Sequence, residues 1–133
     1  MAVKTVKTHK GGPVQGGDRK LFVLDAAGQS MGRVASDAAS ILLGKKSVGY
    51  VQNEVMPVEV RVENLSKMKL NEKRTASKTY LRYTGYPGGL FSTPMQMMID
   101  KKGISEVFRK TVDGMIPRNK LRKERMKRLT TTD

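Results

Sequence analysis

The apolar positions of the chain come in short blocks whose spacing alternates between strand-like and helix-like. Leu21-Phe22-Val23-Leu24 is a compact apolar run that ends in Asp25-Ala26-Ala27-Gly28, the pattern of a buried strand leaving through a turn. From about Met31 to Leu43 the apolar residues recur at helical spacing. Val34, Ala38, Ile41 and Leu42 make one stripe, Gly44 suits the position after the helix, and Lys45 and Lys46 suit its negative end. Val58-Glu59-Val60-Arg61-Val62-Glu63 alternates strictly and predicts a strand with one apolar face. Lys67 to Leu70 reads as a short strand or hairpin arm, and Thr79 to Tyr83 as extended chain entering a loop at Gly85-Tyr86-Pro87-Gly88-Gly89. Thr93 with Pro94 predicts a helix start, with Met95, Met98 and Ile99 on one side. Ser105 predicts a second cap, for a helix burying Ile104, Val107, Phe108, Val112 and Met115 and ending near Gly114. Strands alternating with helices favour an α/β sheet with parallel pairs.

Outside these blocks the chain is basic. The 133 residues carry a net charge of +14. Residues 1–20 hold +4, residues 66–84 hold +5 and residues 101–133 hold +7, whereas residues 21–65 and 85–100 are each at −1. A folded centre with a basic strip and basic ends fits this distribution. Residues 1–19, rich in Gly and Lys, read as a flexible extension, residues 20–129 as one domain, and residues 130–133 as a frayed end. A charge of about +2 to +8 suffices for solubility, so the excess points to a polyanion partner.

Composition narrows the chemistry. With no cysteine there is no disulfide, no thiolate zinc site and no cysteine nucleophile, and His9 is the only histidine. No run approaches the ~20 apolar residues of a membrane span. No cofactor, metal site or small-molecule substrate is expected, and no catalytic residue. Gly44-Lys45-Lys46-Ser47 lacks the earlier glycine of a phosphate-binding loop, since position 39 is Ala39, and it ends a helix instead of opening one. A nucleotide-using enzyme would need an acid, base or metal constellation that Asp25 and Asp37 do not supply. The Met95-Gln96-Met97-Met98 run, without Cys or His neighbours, reads as core filling.

Three segments suit RNA. Gly28 to Arg33 makes a strand-to-helix turn at which Arg33 can add a phosphate contact. Lys78 to Gly89 interleaves Lys78 and Arg82 with tyrosines: cations neutralise phosphate, rings stack on bases, and Gly85 and Gly88 let the backbone come close. Tyr80 is read as a core residue; Arg82, Tyr83 and Tyr86 are read as RNA-facing. Arg118 to Arg128 holds seven cations and one acid in eleven residues, with Arg118, Lys120 and Lys123 as the chosen contacts. Lys45 and Lys46 complete the set.

The same residues resemble a known family. Asp25-Ala26-x-Gly28-Gln29-x-x-Gly32-Arg33-x-Ala35-Ser36, then Leu43-Gly44-Lys45, are similar to the opening of the large-subunit ribosomal protein thirteen family. Val62-x-Asn64-x-x-Lys67, Lys78-x-Tyr80-x-Arg82-x-Thr84-Gly85-Tyr86-Pro87-Gly88-Gly89 and Val112-x-Gly114-Met115-Ile116-Pro117-Arg118-Asn119-x-Leu121 follow in family order. The departures include Pro57-Val58, Asn71-Glu72, Tyr83 in place of a common His, Arg122 in place of a common Gly, and a longer basic start. The resemblance implies a three-layer α/β/α domain with a four-stranded, mostly parallel sheet. It also implies a structural, non-enzymatic role in the large ribosomal subunit. The implied partners are large-subunit (23S-type) ribosomal RNA, neighbouring ribosomal proteins and, as some bacterial members repress their own transcript, messenger RNA. The implied place is on ribosomes, with bacterial cytoplasm favoured and an organelle as the alternative. A free nucleic-acid-binding regulator is the alternative.

Overall fold

The computed structural model describes residues 4–7 and 20–132. Eleven elements follow in order: β1 (Lys4–Lys7), β2 (Lys20–Asp25), α1 (Met31–Leu42), β3 (Val58–Glu63), a 3-10 turn (Leu65–Lys67), α2 (Glu72–Ser77), β4 (Thr79–Tyr83), β5 (Leu90–Pro94), α3 (Met95–Met115), α4 (Arg122–Lys127) and β6 (Leu129–Thr131).

The centre is a parallel pairing. Phe22 lies beside Val60 and Leu24 beside Val62, while Val60 and Val62 also lie beside Leu129 and Thr131 of β6. Paired residues share a face, so Phe22, Leu24, Val58, Val60, Val62 and Leu129 form one apolar surface. α1 covers it with Val34, Ala35, Ala38, Ala39, Ile41 and Leu42. Its alanines leave room for Phe108 and Val112 of α3, which are fully buried in the same cluster. A smaller cluster of Met95, Met98 and Val107 lies under Leu70 and Tyr80. The methionine run thus fills core with Met95 and Met98 and leaves Met97 exposed.

The architecture is α/β with a mostly parallel sheet, and its details depart from expectation at several points. β1 joins β2 antiparallel, so Lys4–Lys7 is an element within a stretch expected to have none. Residues 1–3 and 8–19 lie outside the described residues. On the other face of β2 and β3, Leu21 lies beside Glu59 and Val23 beside Arg61, and Leu21 is buried. The end expected to fray is a strand, because β6 pairs with β3 and the Thr132 N–H donates to the Val62 carbonyl at 2.8 Å. Lys67 to Leu70 forms a turn and a single parallel bridge from Lys69 to Ser30. The long helix breaks at Gly103 (φ 81°), two residues ahead of the expected Ser105 cap. Pro94, not Thr93, precedes its first turn.

The carboxyl ends of β2 and β3 are tied by a small polar network. Asp25 Oδ1 accepts from the Ala27 N–H and from Asn64 Nδ2, each at 3.0 Å, and the Gln29 amide donates to the Asp25 carbonyl at 2.8 Å. Asn64 adopts a left-handed conformation (φ 59°), which its short polar side chain tolerates. The Ala26 N–H donates to the Glu63 carbonyl at 3.0 Å, closing the two strands together.

The far end of α1 closes with a Schellman motif. Gly44 (φ 84°) donates to the Ile41 carbonyl at 2.8 Å, and the Lys45 N–H to the Ser40 carbonyl at 3.1 Å. A Cβ at position 44 would also collide with Met56. The chain from 45 to 57 is then held from α4. Arg125, only 2% exposed, donates through Nη2 to the carbonyls of Glu54 at 3.1 Å and Gln52 at 3.4 Å, and Arg128 donates to the Met56 carbonyl.

Two stability effects follow from this end of the molecule. Gly44→Ala forces a left-handed alanine against Met56 and is expected to cost about 2 kcal/mol, read as a lower urea midpoint at unchanged slope. Arg125→Met keeps most of the buried bulk but strands two carbonyls. It is expected to cost about 2 kcal/mol and to speed amide exchange within residues 45–57.

Candidate nucleic-acid interface

The site residues chosen from the sequence fall in four places, not one. Arg33 begins α1, whereas Lys45 and Lys46 follow its end, roughly 18 Å away at 1.5 Å per residue. All three are exposed. Arg82, Tyr83, Gly85, Tyr86 and Gly88 lie on the β4–β5 hairpin, and Arg118, Lys120 and Lys123 lie at and before the start of α4.

The hairpin came from a segment expected to be one strand and a loop. Its second strand went unseen because Leu90-Phe91-Ser92 lacks polar alternation. Arg82 pairs with Phe91 and Tyr83 with Leu90, so Arg82 and Tyr83 face opposite ways. One face of the hairpin carries Leu81, Tyr83 and Leu90, the other Tyr80, Arg82 and Phe91. Tyr83 is 64% exposed and Tyr86 75%. The tip folds on itself: Thr84 N–H donates to Gly89 O at 3.1 Å and Gly89 N–H to Tyr86 O at 2.9 Å. Gly85 and Gly88 have positive φ with open space around them, so both serve the bend of the loop.

At the root of the hairpin lies a cleft of about 330 Å³, beyond the carboxyl ends of β2 and β3, where α/β sheets commonly bind ligands. Met31, Leu70, Met95, Met115 and Tyr80 give it apolar walls. Arg33, Lys69, Arg74 and Lys78 line it with positive charge, and no Asp or Glu lines it. Arg33 and Lys78 were legible from the sequence. Lys69 and Arg74 were missed, although both lie in the +5 segment, because Glu72–Ser77 is too short to show a helical period and Lys69 is placed by its bridge to the distant Ser30.

Tyr80 is half-buried and packs on the smaller cluster, as a core reading requires, but it also lines the cleft. Lys78 Nζ and Lys110 Nζ each lie 5.3 Å from its ring centroid. Burial pushes its phenol up from the ordinary value, and the Arg74 charge and nearby Thr111 pull it partly back. Its hydroxyl is buried beside the Thr111 side chain, with no partner at full hydrogen-bond geometry among the described residues. Thr111 donates its own hydrogen to the Val107 carbonyl at 2.9 Å.

The basic run near the carboxyl end is not uniformly a contact surface. Arg125 and Arg128 turn to backbone carbonyls, and Arg122 pairs with Asp113 at 3.1 Å. Arg118, Lys120 and Lys123 remain exposed, with Lys120 in a shallow depression beside Gln52 and Asn53. Among the described residues no three of His, Cys, Asp and Glu gather as a metal site, and no helix is long and apolar enough to cross a membrane.

Comparison with known proteins places these features in a family. The family model described as Ribosomal protein L13 matches residues 19–131. The large ribosomal subunit protein uL13 of Geobacter sulfurreducens is 36% identical over 127 residues, covering 96% of this chain and 86% of the relative. The proteins of the same name from Clostridioides difficile and Caldanaerobacter subterraneus are 39% and 38% identical, each over 84% of this chain, and this chain covers 77% and 78% of them. With the match spanning β2 to β6, and with them the hairpin, the cleft and α4, the chain belongs to the ribosomal protein L13 family.

Proposed function

We propose that the chain is a structural component of the large ribosomal subunit that binds and stabilises large-subunit ribosomal RNA during assembly. One observation carries the reading beyond family membership. Four cations from α1, α2 and the segments that follow β3 and α2 converge on one cleft with no carboxylate among its lining residues. Mutual repulsion makes such a cluster costly unless an anion offsets it. The hairpin beside it offers an exposed cation and exposed rings on a tip bent by glycines. The mechanism is counterion release by clustered Lys and Arg, with the hairpin fitting RNA shape.

The proposal covers Arg33, Lys45, Lys46, Lys78, Arg82, Tyr83, Gly85, Tyr86, Gly88, Arg118, Lys120 and Lys123 as contacts, spread around the molecule so that it bridges separate RNA segments. The basic first 19 residues add further positive charge for the RNA. Neighbouring ribosomal proteins are the second class of partner, and the protein acts on ribosomes in the cytoplasm without catalysis.

Sedimentation of native lysate with a high-salt wash of the large-subunit peak tests the role. Retention at about one copy per subunit is expected. Recovery at the top of the gradient would replace the structural role with that of a free regulator, one that binds messenger RNA included. At the level of residues, Arg82→Ala is expected to weaken RNA binding and to lower the slope of log K against log salt by about one. An unchanged slope removes Arg82 from the interface.

A further inference from the structure

We propose that the cleft at the hairpin root receives one unstacked nucleotide of a bound RNA strand, with its base inward and its flanking phosphates on the rim. The inference rests on the RNA reading above and assigns to this cleft a ligand unit that electrostatics alone does not specify.

The cleft is amphipathic in the sense a nucleotide requires. A purely phosphate-binding site needs cations and N–H donors. This one also has walls of Met31, Leu70 and Met95, with Met115 at its edge. Thioether and aliphatic surfaces of this kind accept a flat, polarisable ring. Its volume of about 330 Å³ sits at the lower end of pockets that enclose a small molecule. That is room for one base with its sugar and not for a duplex.

Inside, the Tyr80 hydroxyl is the unexplained group. It is buried beside the Thr111 side chain, with no partner at full hydrogen-bond geometry among the described residues. Lys78 and Lys110 lie over the ring, and the hydroxyl itself has almost no exposed area, so a base edge reaches it only by displacing a neighbouring side chain. A base edge carries ring nitrogens or carbonyl oxygens that accept such a hydrogen bond.

The rim selects a strand over a free mononucleotide. Arg33, Lys69, Arg74 and Lys78 bring four positive charges, against the −1.5 to −2 or so of a single terminal phosphate. A nucleotide within a chain brings a phosphate on each side and further phosphates beyond. The cations come from separate elements around the opening, an arrangement suited to successive phosphates. Arg82 continues the track: it lies two residues beyond Tyr80 on the same hairpin face, about 7 Å further out.

The test uses the full chain labelled at methionine methyl groups and observed by NMR. The probes are ribonucleotide hexamers of each of the four bases, a hexameric abasic ribose-phosphate strand, AMP and inorganic phosphate. At least one base-bearing hexamer is expected to shift the Met31, Met95 and Met115 methyls through base ring currents. It should bind about fivefold to tenfold tighter than the abasic strand. Tyr80→Phe, which removes one oxygen, is expected to abolish most of that difference and leave abasic binding unchanged. Lys69→Ala and Arg74→Ala are expected to weaken both strands alike. Equal binding of all strands with the three methyls unmoved would overturn the cleft assignment while leaving the RNA reading intact. Failure of every strand to bind at low salt would sink the RNA reading itself. AMP or phosphate matching the best hexamer in affinity and in methyl shifts overturns the strand assignment in favour of a free small anion.

Discussion

The parallel pairing of β2 with β3 is the constraint on which the rest of the molecule depends. Phe22, Leu24, Val58, Val60 and Val62 reach one face together in the observed register. A slip of one residue would turn Glu59 and Arg61 under α1, exchanging apolar burial for buried charge. The Asp25–Asn64 hydrogen bond and the Ala26–Glu63 backbone bond hold the carboxyl ends of the two strands side by side. That junction sets where α1 begins and where Lys69 meets Ser30, and so it sets the mouth of the cleft.

A chain with so many cations and so few aromatics has to divide its basic residues between building and binding. Arg125 and Arg128 build: their guanidinium groups hold the carbonyls of residues 52, 54 and 56, tying a stretch that lacks regular structure to α4. Arg122 is offset by Asp113 at the surface, a pair that adds little to stability. The cations of the cleft, the hairpin and the start of α4 stay outside. The fork of Arg, with several donors in one plane, suits the internal role, which explains why arginine and not lysine sits at position 125.

Much of the central fold was legible because its signals are local. The alternation of residues 58–63, the helical stripe of Val34, Ala38, Ile41 and Leu42, and the positive-φ glycine at 44 each follow from periodicity or a cap. What escaped were pieces whose reason lies elsewhere in the chain. β6 exists because β3 has a free edge, and Leu129-Thr130-Thr131 carries little strand pattern of its own. β5 exists because β4 does. α2 is six residues long, shorter than any period can show. In the site, exposure of the chosen residues followed from their charge, but their distribution over separate places did not. Periodicity also did not reveal that Arg82 and Tyr83 face opposite ways, because only the pairing with Phe91 and Leu90 defines the two faces.

By itself the sequence determined the class of the molecule. Its charge pointed to a polyanion, its lack of Cys and its single His left little catalytic or metal chemistry to expect, and its apolar spacing laid down a helix between two strands. The tertiary structure decided which cations act together. Lys69 and Arg74 join Arg33 and Lys78 only because the β2–β3 junction brings four separate segments to one opening. Arg125 leaves the basic surface only because α4 docks on the chain after α1. Charge is a property of each residue. Its local concentration, and what a buried hydroxyl such as that of Tyr80 faces, depend on distances that no stretch of sequence contains.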